Sequence, residues 1–147
     1  IALTALDVFL LSLFGTALSS LINFFLTSQG QISAVGTIVS SGYGFICGAY
    51  MPLASFSEGL RNVILFLPGT YGTSLIRNHT LHGIFKEMEG IGFPEDIITK
   101  IRDSVDCNLY FFGNNVSTGA MYSIVIGTVA VLIAAYILIN IYVKRDN

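Results

Sequence analysis

Between Asp7 and Glu58 lie 50 consecutive residues without Asp, Glu, Lys or Arg, and 37 more separate Asp106 from Lys144. No other feature constrains the fold as strongly, because a chain that must cover itself in water cannot leave such runs uncharged. Only 11% of the 147 residues are charged, against about 25% in an ordinary soluble domain. The mean hydropathy of +0.73 agrees, and a water-soluble globule is excluded as an expectation. The charges present are also clustered. Ten of the sixteen fall between Arg77 and Asp106, four basic and six acidic, so that stretch belongs in water. A net charge of -2 leaves no basic patch, and nucleic acid is not an expected partner.

A helix needs about 20 apolar residues to cross the hydrocarbon core. Three segments qualify: Val8 to Leu26, Ile32 to Met51 and Gly119 to Val143. The first ends in the polar turn Ser28-Gln29-Gly30-Gln31, the second at Pro52, the third at Lys144-Arg145. Tyr122 and Tyr142 bracket the third span at a helical distance of ~30 Å, as aromatic belts do. The basic pair after it marks the cytoplasmic side. Residues 1–27 then run out to in, 28–31 form a cytoplasmic turn, and 32–51 return outward. Residues 119–143 run out to in, and 144–147 are a cytoplasmic tail. The expected fold class is an all-α integral membrane protein of a cell membrane. It has three transmembrane helices, a broken re-entrant helical pair and a small extracytoplasmic helical segment.

The broken pair comes from Asn62 to Ile76, an apolar stretch of 15 residues with Pro68-Gly69 at its centre. It is short for a span, and backbone broken at membrane depth is tolerated where protein or a water-filled cavity covers it. Residues 52–76 are therefore expected to dip in from the outside and return, with a fourth full crossing as the alternative. Within the extracytoplasmic segment 77–118, Thr80 to Glu89 and Glu95 to Asp106 are expected as two short helices. The second carries an apolar face at Ile97, Ile98, Ile101 and Val105.

Helices in lipid associate through small residues, and Gly36, Ser40, Gly44 and Gly48 form a stripe of period four suited to helix packing. Rotated from it, Tyr43, Cys47 and Tyr50 stand at i, i+4, i+7, with Phe45 and Met51 nearby. These five are the expected lining of a pathway for an amphipathic molecule, with simple packing or interface anchoring as the alternative. Pro52, Glu58, Arg61, Pro68, Gly69 and Tyr71 are the expected outer gate, Glu58 and Arg61 being spaced to pair on one helix face. The spans as bounded hold no charged side chain, which argues against a charged relay. No catalytic residue and no metal site is expected. His79 and His82 lack the partners a metal needs and read as exposed histidines, and Cys47 and Cys107 read as unpaired thiols. Asn78-His79-Thr80 and Asn115-Val116-Ser117 match the glycosylation acceptor pattern. A chain opening at Ile1 inside an apolar run reads as a fragment.

The run Phe45-Ile46-Cys47-Gly48-Ala49-Tyr50-Met51-Pro52, followed by Leu53 to Leu60 and then Phe66-Leu67-Pro68-Gly69-Thr70-Tyr71-Gly72-Thr73, resembles the membrane subunit of ABC-2 type transporters. That family closes a span with F-x-S/C-G-x-x-x-P and breaks its re-entrant helices at Leu-Pro-x-x-Tyr. The resemblance covers residues 1 to 143 and corresponds to the last three spans of a six-span subunit, closest in its long outer insert to bacterial multidrug and small-molecule exporters. It implies a homo- or heterodimer of membrane subunits embedded in membrane lipid. A cytoplasmic ATPase partner would bind ATP and Mg, and this chain would bind no cofactor. The implied activity is export of an amphipathic small molecule, drug or lipid-like compound. The alternative is a non-transporting sensor or immunity module whose outer segment binds a peptide.

Overall fold

The computed structural model describes residues 1–145. The chain is all-α overall, with one two-strand hairpin. In order it runs α1 (Ala2–Phe24), α2 (Gln29–Ile46), a 3-10 turn at Leu53–Ser55, α3 (Glu58–Ile64), α4 (Pro68–Gly90), α5 (Glu95–Ser104), β1 (Tyr110–Phe111), β2 (Asn114–Asn115) and α6 (Thr118–Arg145). Residues 146–147, in the expected tail, and the side chains of Lys144 and Arg145 lie outside the described residues. Among the described residues two helices, Ala2–Phe24 and Thr118–Val143, are long and apolar enough to cross a membrane.

Helices α1, α4 and α6 pack on one another. Near the start of both α1 and α6 the Tyr122 hydroxyl meets Asp7, and further along both the rings of Phe24 and Tyr136 meet edge-on at 6.2 Å. The two helices therefore run parallel. Helix α4 runs against α1, since Gly72 lies against Leu11 and His79, two turns later, reaches Asp7. A core of Leu53, Ile64, Leu65, Tyr71, Leu75, Leu109, Met121 and Val125 welds α3, α4 and the first turns of α6 together.

Helix α2 begins with a reciprocal cap: the Gln31 N–H donates to the Ser28 hydroxyl at 3.2 Å and the Ser28 N–H to the Gln31 side chain at 3.4 Å, satisfying backbone donors that a helix start leaves open. It ends at Ile46, five residues short of the Met51 expected from hydropathy. Gly48, with φ of +77°, takes a left-handed conformation that glycine adopts without steric cost, and the chain turns away before Pro52 is reached. No residue of α2 is buried.

Pro68 does break the apolar stretch, but by opening a helix. Its fixed φ and missing N–H suit the first helical position, and α4 then continues for 23 residues to Gly90. The short helix expected at Thr80 to Glu89 is the far end of this one, because nothing between Ile76 and Thr80 interrupts the backbone ladder. Helix α5 ends at Ser104, two residues earlier than expected. Asp106 sits at φ 55°, and the Cys107 N–H returns to the Arg102 carbonyl at 2.9 Å, a left-handed closure of the kind Asp tolerates. Phe112 and Gly113, both at positive φ, form the two-residue turn of the β1–β2 hairpin, where right-handed strand twist favours this geometry.

Candidate functional site

Three clusters lie along the first half of α4. The first is its N-terminus. The Gly69 N–H donates to the Tyr43 hydroxyl at 3.2 Å, and the Thr73 hydroxyl donates to the Cys47 carbonyl at 2.9 Å. The broken backbone just before is covered from within: the Thr70 hydroxyl donates to the Ile64 carbonyl at 3.0 Å and the Tyr71 hydroxyl to the Leu65 carbonyl at 2.5 Å. The approach of α4 to α2 depends on Gly69. A Cβ there would sit 2.5 Å from the Tyr43 ring and 2.9 Å from the Cys47 sulfur, so any other residue forces the helices apart.

Beside this junction, α1 and α2 splay to leave an apolar cavity of about 280 Å³. Phe14, Leu18, Val39, Tyr43 and Cys47 are among its walls, with Gly69 and Thr73 at its closed end. Tyr43 and Cys47 are the two of the five expected lining residues that stand on the cavity wall. Phe45 faces outward, and Tyr50, 68% exposed, stacks against it with ring centres 5.5 Å apart. The expected face ends at Cys47 because the helix unwinds before Tyr50, and Met51 lies in the following turn. Gly36, Ser40 and Gly44 line the same cavity. A Cβ on Gly36 would meet nothing within 4 Å, whereas one on Gly44 would sit 2.8 Å from the Tyr50 ring. Gly48 lies outside the helix and serves the turn.

The second cluster ties the outer segment to this junction. Asp106, 4% exposed, accepts from the Leu53 N–H with both oxygens (3.1 and 2.9 Å) and from Arg77 Nη1 at 2.7 Å. The other Arg77 nitrogen donates to the Gly48 carbonyl. The Ser74 hydroxyl donates to the Asp106 carbonyl at 2.7 Å, the Asn78 amide to the Cys107 carbonyl, and Arg102 to Asn78 Oδ1 at 3.1 Å. Burial lifts the Asp106 carboxyl above the usual carboxylate range, and the Leu53 N–H and the Arg77 guanidinium pull it back only in part. Asn78, half-buried and fully engaged, is no open glycosylation acceptor, whereas Asn115 is exposed on β2.

The third cluster was not legible in the sequence. Asp7, expected at the mouth of the first span, lies within α1 and is 1% exposed. One oxygen meets His79 Nδ1 at 2.5 Å and the other accepts from the Tyr122 hydroxyl, across sequence separations of 72 and 115 residues. His79 is therefore a structural partner and not an exposed histidine, and the helix start at Ala2 brings an acid into the apolar run. The only available signal was that Asp7 follows Ala2-Leu3-Thr4-Ala5-Leu6 with no turn residue between.

Of the expected gate residues, Pro52 precedes the 3-10 turn and Glu58 opens α3. Pro68, Gly69 and Tyr71 meet at the α4 start. Glu58 and Arg61 do not pair. Arg61 instead reaches the Phe56 carbonyl at 3.5 Å and borders, with Glu58, Asn62 and Asp103, a second and more polar hollow of about 440 Å³. Both cysteines are free and buried. Among the described residues no group of three or more His, Cys, Asp or Glu is placed to hold a metal.

Comparison with known protein families, with characterised proteins and with solved structures returns no match for this chain.

Proposed function

We propose that this chain is the membrane-spanning part of an ATP-driven exporter of the ABC-2 type, moving an amphipathic small molecule, drug or lipid-like compound out of a bacterial cell, with ATP hydrolysed by a separate cytoplasmic partner. In this reading α1, α2 and α6 are the three spans, and α3 with the first half of α4 is the outer gate.

One observation carries it. In this reading the α3–α4 hairpin dips among the packed helices and returns to the side from which it came, and the levels of the two ends of its return support that. Gly69, at the start of α4, lies at the level of Tyr43, while His79 lies at the level of Asp7 near the start of α1. The ten helical steps from Gly69 to His79 correspond to a depth of ~15 Å, about half of a ~30 Å hydrocarbon core. The turn at that depth has its carbonyls satisfied by Thr70 and Tyr71, the condition under which broken backbone persists inside a membrane. The parallel run of α1 and α6, with α2 returning after α1 in chain order, supports an odd number of crossings.

Single cysteines at Ser28 and Ser57 test the topology in intact cells and inside-out vesicles. Ser28→Cys reacts only from the cytoplasmic face and Ser57→Cys only from outside. Reaction of Ser28→Cys from outside means that the 62–76 segment crosses fully and the gate reading fails. For the activity, the full-length protein with its ATPase is reconstituted into vesicles. ATP-dependent movement of an amphipathic dye is expected, and its absence for every lipid-like or drug-like compound tried overturns the exporter reading.

A further inference from the structure

The cavity between α1 and α2 has a chemical signature beyond its size. Its walls carry no carboxylate, ammonium or guanidinium. The polar groups that do line it are largely occupied: Thr73 donates to the Cys47 carbonyl, Ser40 to the Gly36 carbonyl at 2.6 Å, and the Tyr43 oxygen accepts from Gly69. At the opposite end, Asn23 spends one amide hydrogen on the Ser19 hydroxyl at 3.4 Å, and its carbonyl oxygen keeps acceptor capacity. The cavity thus offers hydrocarbon along its length and, at one end, a neutral polar pair, the Asn23 amide and the Ser19 hydroxyl, with acceptor capacity on the Asn23 oxygen. Its volume of about 280 Å³ is at the small end of the ~300–1,000 Å³ range of ligand sites.

A charged headgroup entering here would lose its water and find no counter-charge, the most expensive form of polar burial. An uncharged hydroxyl loses far less and has an acceptor to meet. We propose that this cavity binds an uncharged, single-chain hydrocarbon molecule with a hydroxyl head, and that this is the class of cargo the exporter takes. Its role as cargo rests on the exporter reading; the binding itself does not.

The 147 residues contain no Trp, so with any Trp elsewhere in the full-length protein replaced by Phe, Phe14→Trp places a single Trp emitter in the cavity wall. The full-length protein in lipid nanodiscs is titrated with 1-decanol, decanoate and decyltrimethylammonium at equal bilayer mole fractions. Decanol shifts the emission saturably, and each ion requires at least a tenfold higher mole fraction. Adding Ser40→Leu, which fills the cavity, abolishes the decanol response, while Ser33→Leu, off the cavity on the same helix, leaves it intact. If Ser40→Leu lowers the yield of folded protein, Gly36→Leu replaces it, since open space surrounds that position. Equal or tighter binding of either ion overturns the proposal. So does a decanol response that never saturates or survives filling, or no response at all because another helix covers the groove. No ATPase is present in this assay. Saturable binding without ATP-driven transport therefore refutes the exporter role alone, and transport without it refutes the cavity assignment alone.

Discussion

Removing Arg77 exposes how the outer segment is held to the rest of the molecule. In Arg77→Met the Asp106 carboxylate stays buried with the Leu53 N–H as its remaining donor, and the Gly48 carbonyl loses its partner. Breaking a buried ion pair from one side costs about 3–5 kcal/mol. The lower end applies because Leu53 still donates and the Arg77 side chain is 24% exposed, so about 3 kcal/mol is expected. Asp106→Asn keeps an acceptor for Leu53 and tolerates the positive φ. It loses the charge-assisted bond, which is worth about 1.5–3 kcal/mol. The double variant should cost little more than Arg77→Met alone, because once the charge has gone the missing guanidinium matters less.

The chain carries its own reporters. Cys47 adjoins Gly48, Cys107 adjoins Asp106, and both thiols are 2% exposed. Their reaction with a maleimide dye therefore follows opening of this cluster. A loss of about 3 kcal/mol corresponds to roughly 100-fold faster labelling when reclosing outpaces the reaction. Labelling rates of the wild type, two single variants and the double variant complete the cycle. If the two effects add within ~0.5 kcal/mol, Arg77 and Asp106 act independently and do not hold the outer segment as a pair.

Three further outcomes follow from the same geometry. Gly69→Ala should lower stability by about 1–3 kcal/mol through overpacking against Tyr43 and Cys47, whereas Gly83→Ala, with open space around it, should be neutral or stabilising by up to ~1 kcal/mol; thermal unfolding in detergent compares them. The raised Asp106 carboxyl makes the folded state bind its proton more readily than the unfolded state, so its contribution to stability falls as pH rises from the ordinary carboxylate range to the folded value and is flat above it. The wild-type midpoint relative to that of Asp106→Asn should decline across that window, and a rise would contradict the assignment. Asp7→Leu leaves the half-buried His79 and Tyr122 without their shared partner, at about 1 kcal/mol each, the lower end of the range for an unsatisfied polar group. Asp7→Asn retains an acceptor for Tyr122, so a thermal midpoint of Asp7→Asn at or below that of Asp7→Leu would remove the Asp7 cluster from the account.

The sequence alone was sufficient wherever a property depends on neighbours along the chain. Long uncharged runs specify long apolar helices, so α1 and α6 were legible from hydropathy. Pro68 marks a break because proline geometry is local, whereas Ser28 to Gln31 read as a polar turn and instead cap and open α2, which starts at Gln29, since capping also acts within four residues. What required the tertiary structure are the partnerships across the fold. Nothing local distinguishes a Pro68 that ends a dip from one that opens a 23-residue helix, since that depends on whether α1 and α6 can bury the turns after it. Gly48 could have continued α2, and the Arg77 donor to its carbonyl helps hold the turned conformation. Asp7 reads as a headgroup charge until His79 and Tyr122 arrive from elements 72 and 115 residues away. Burying a carboxylate is favourable only when such partners are already in place, and that condition belongs to the packed helices and not to any stretch of the chain.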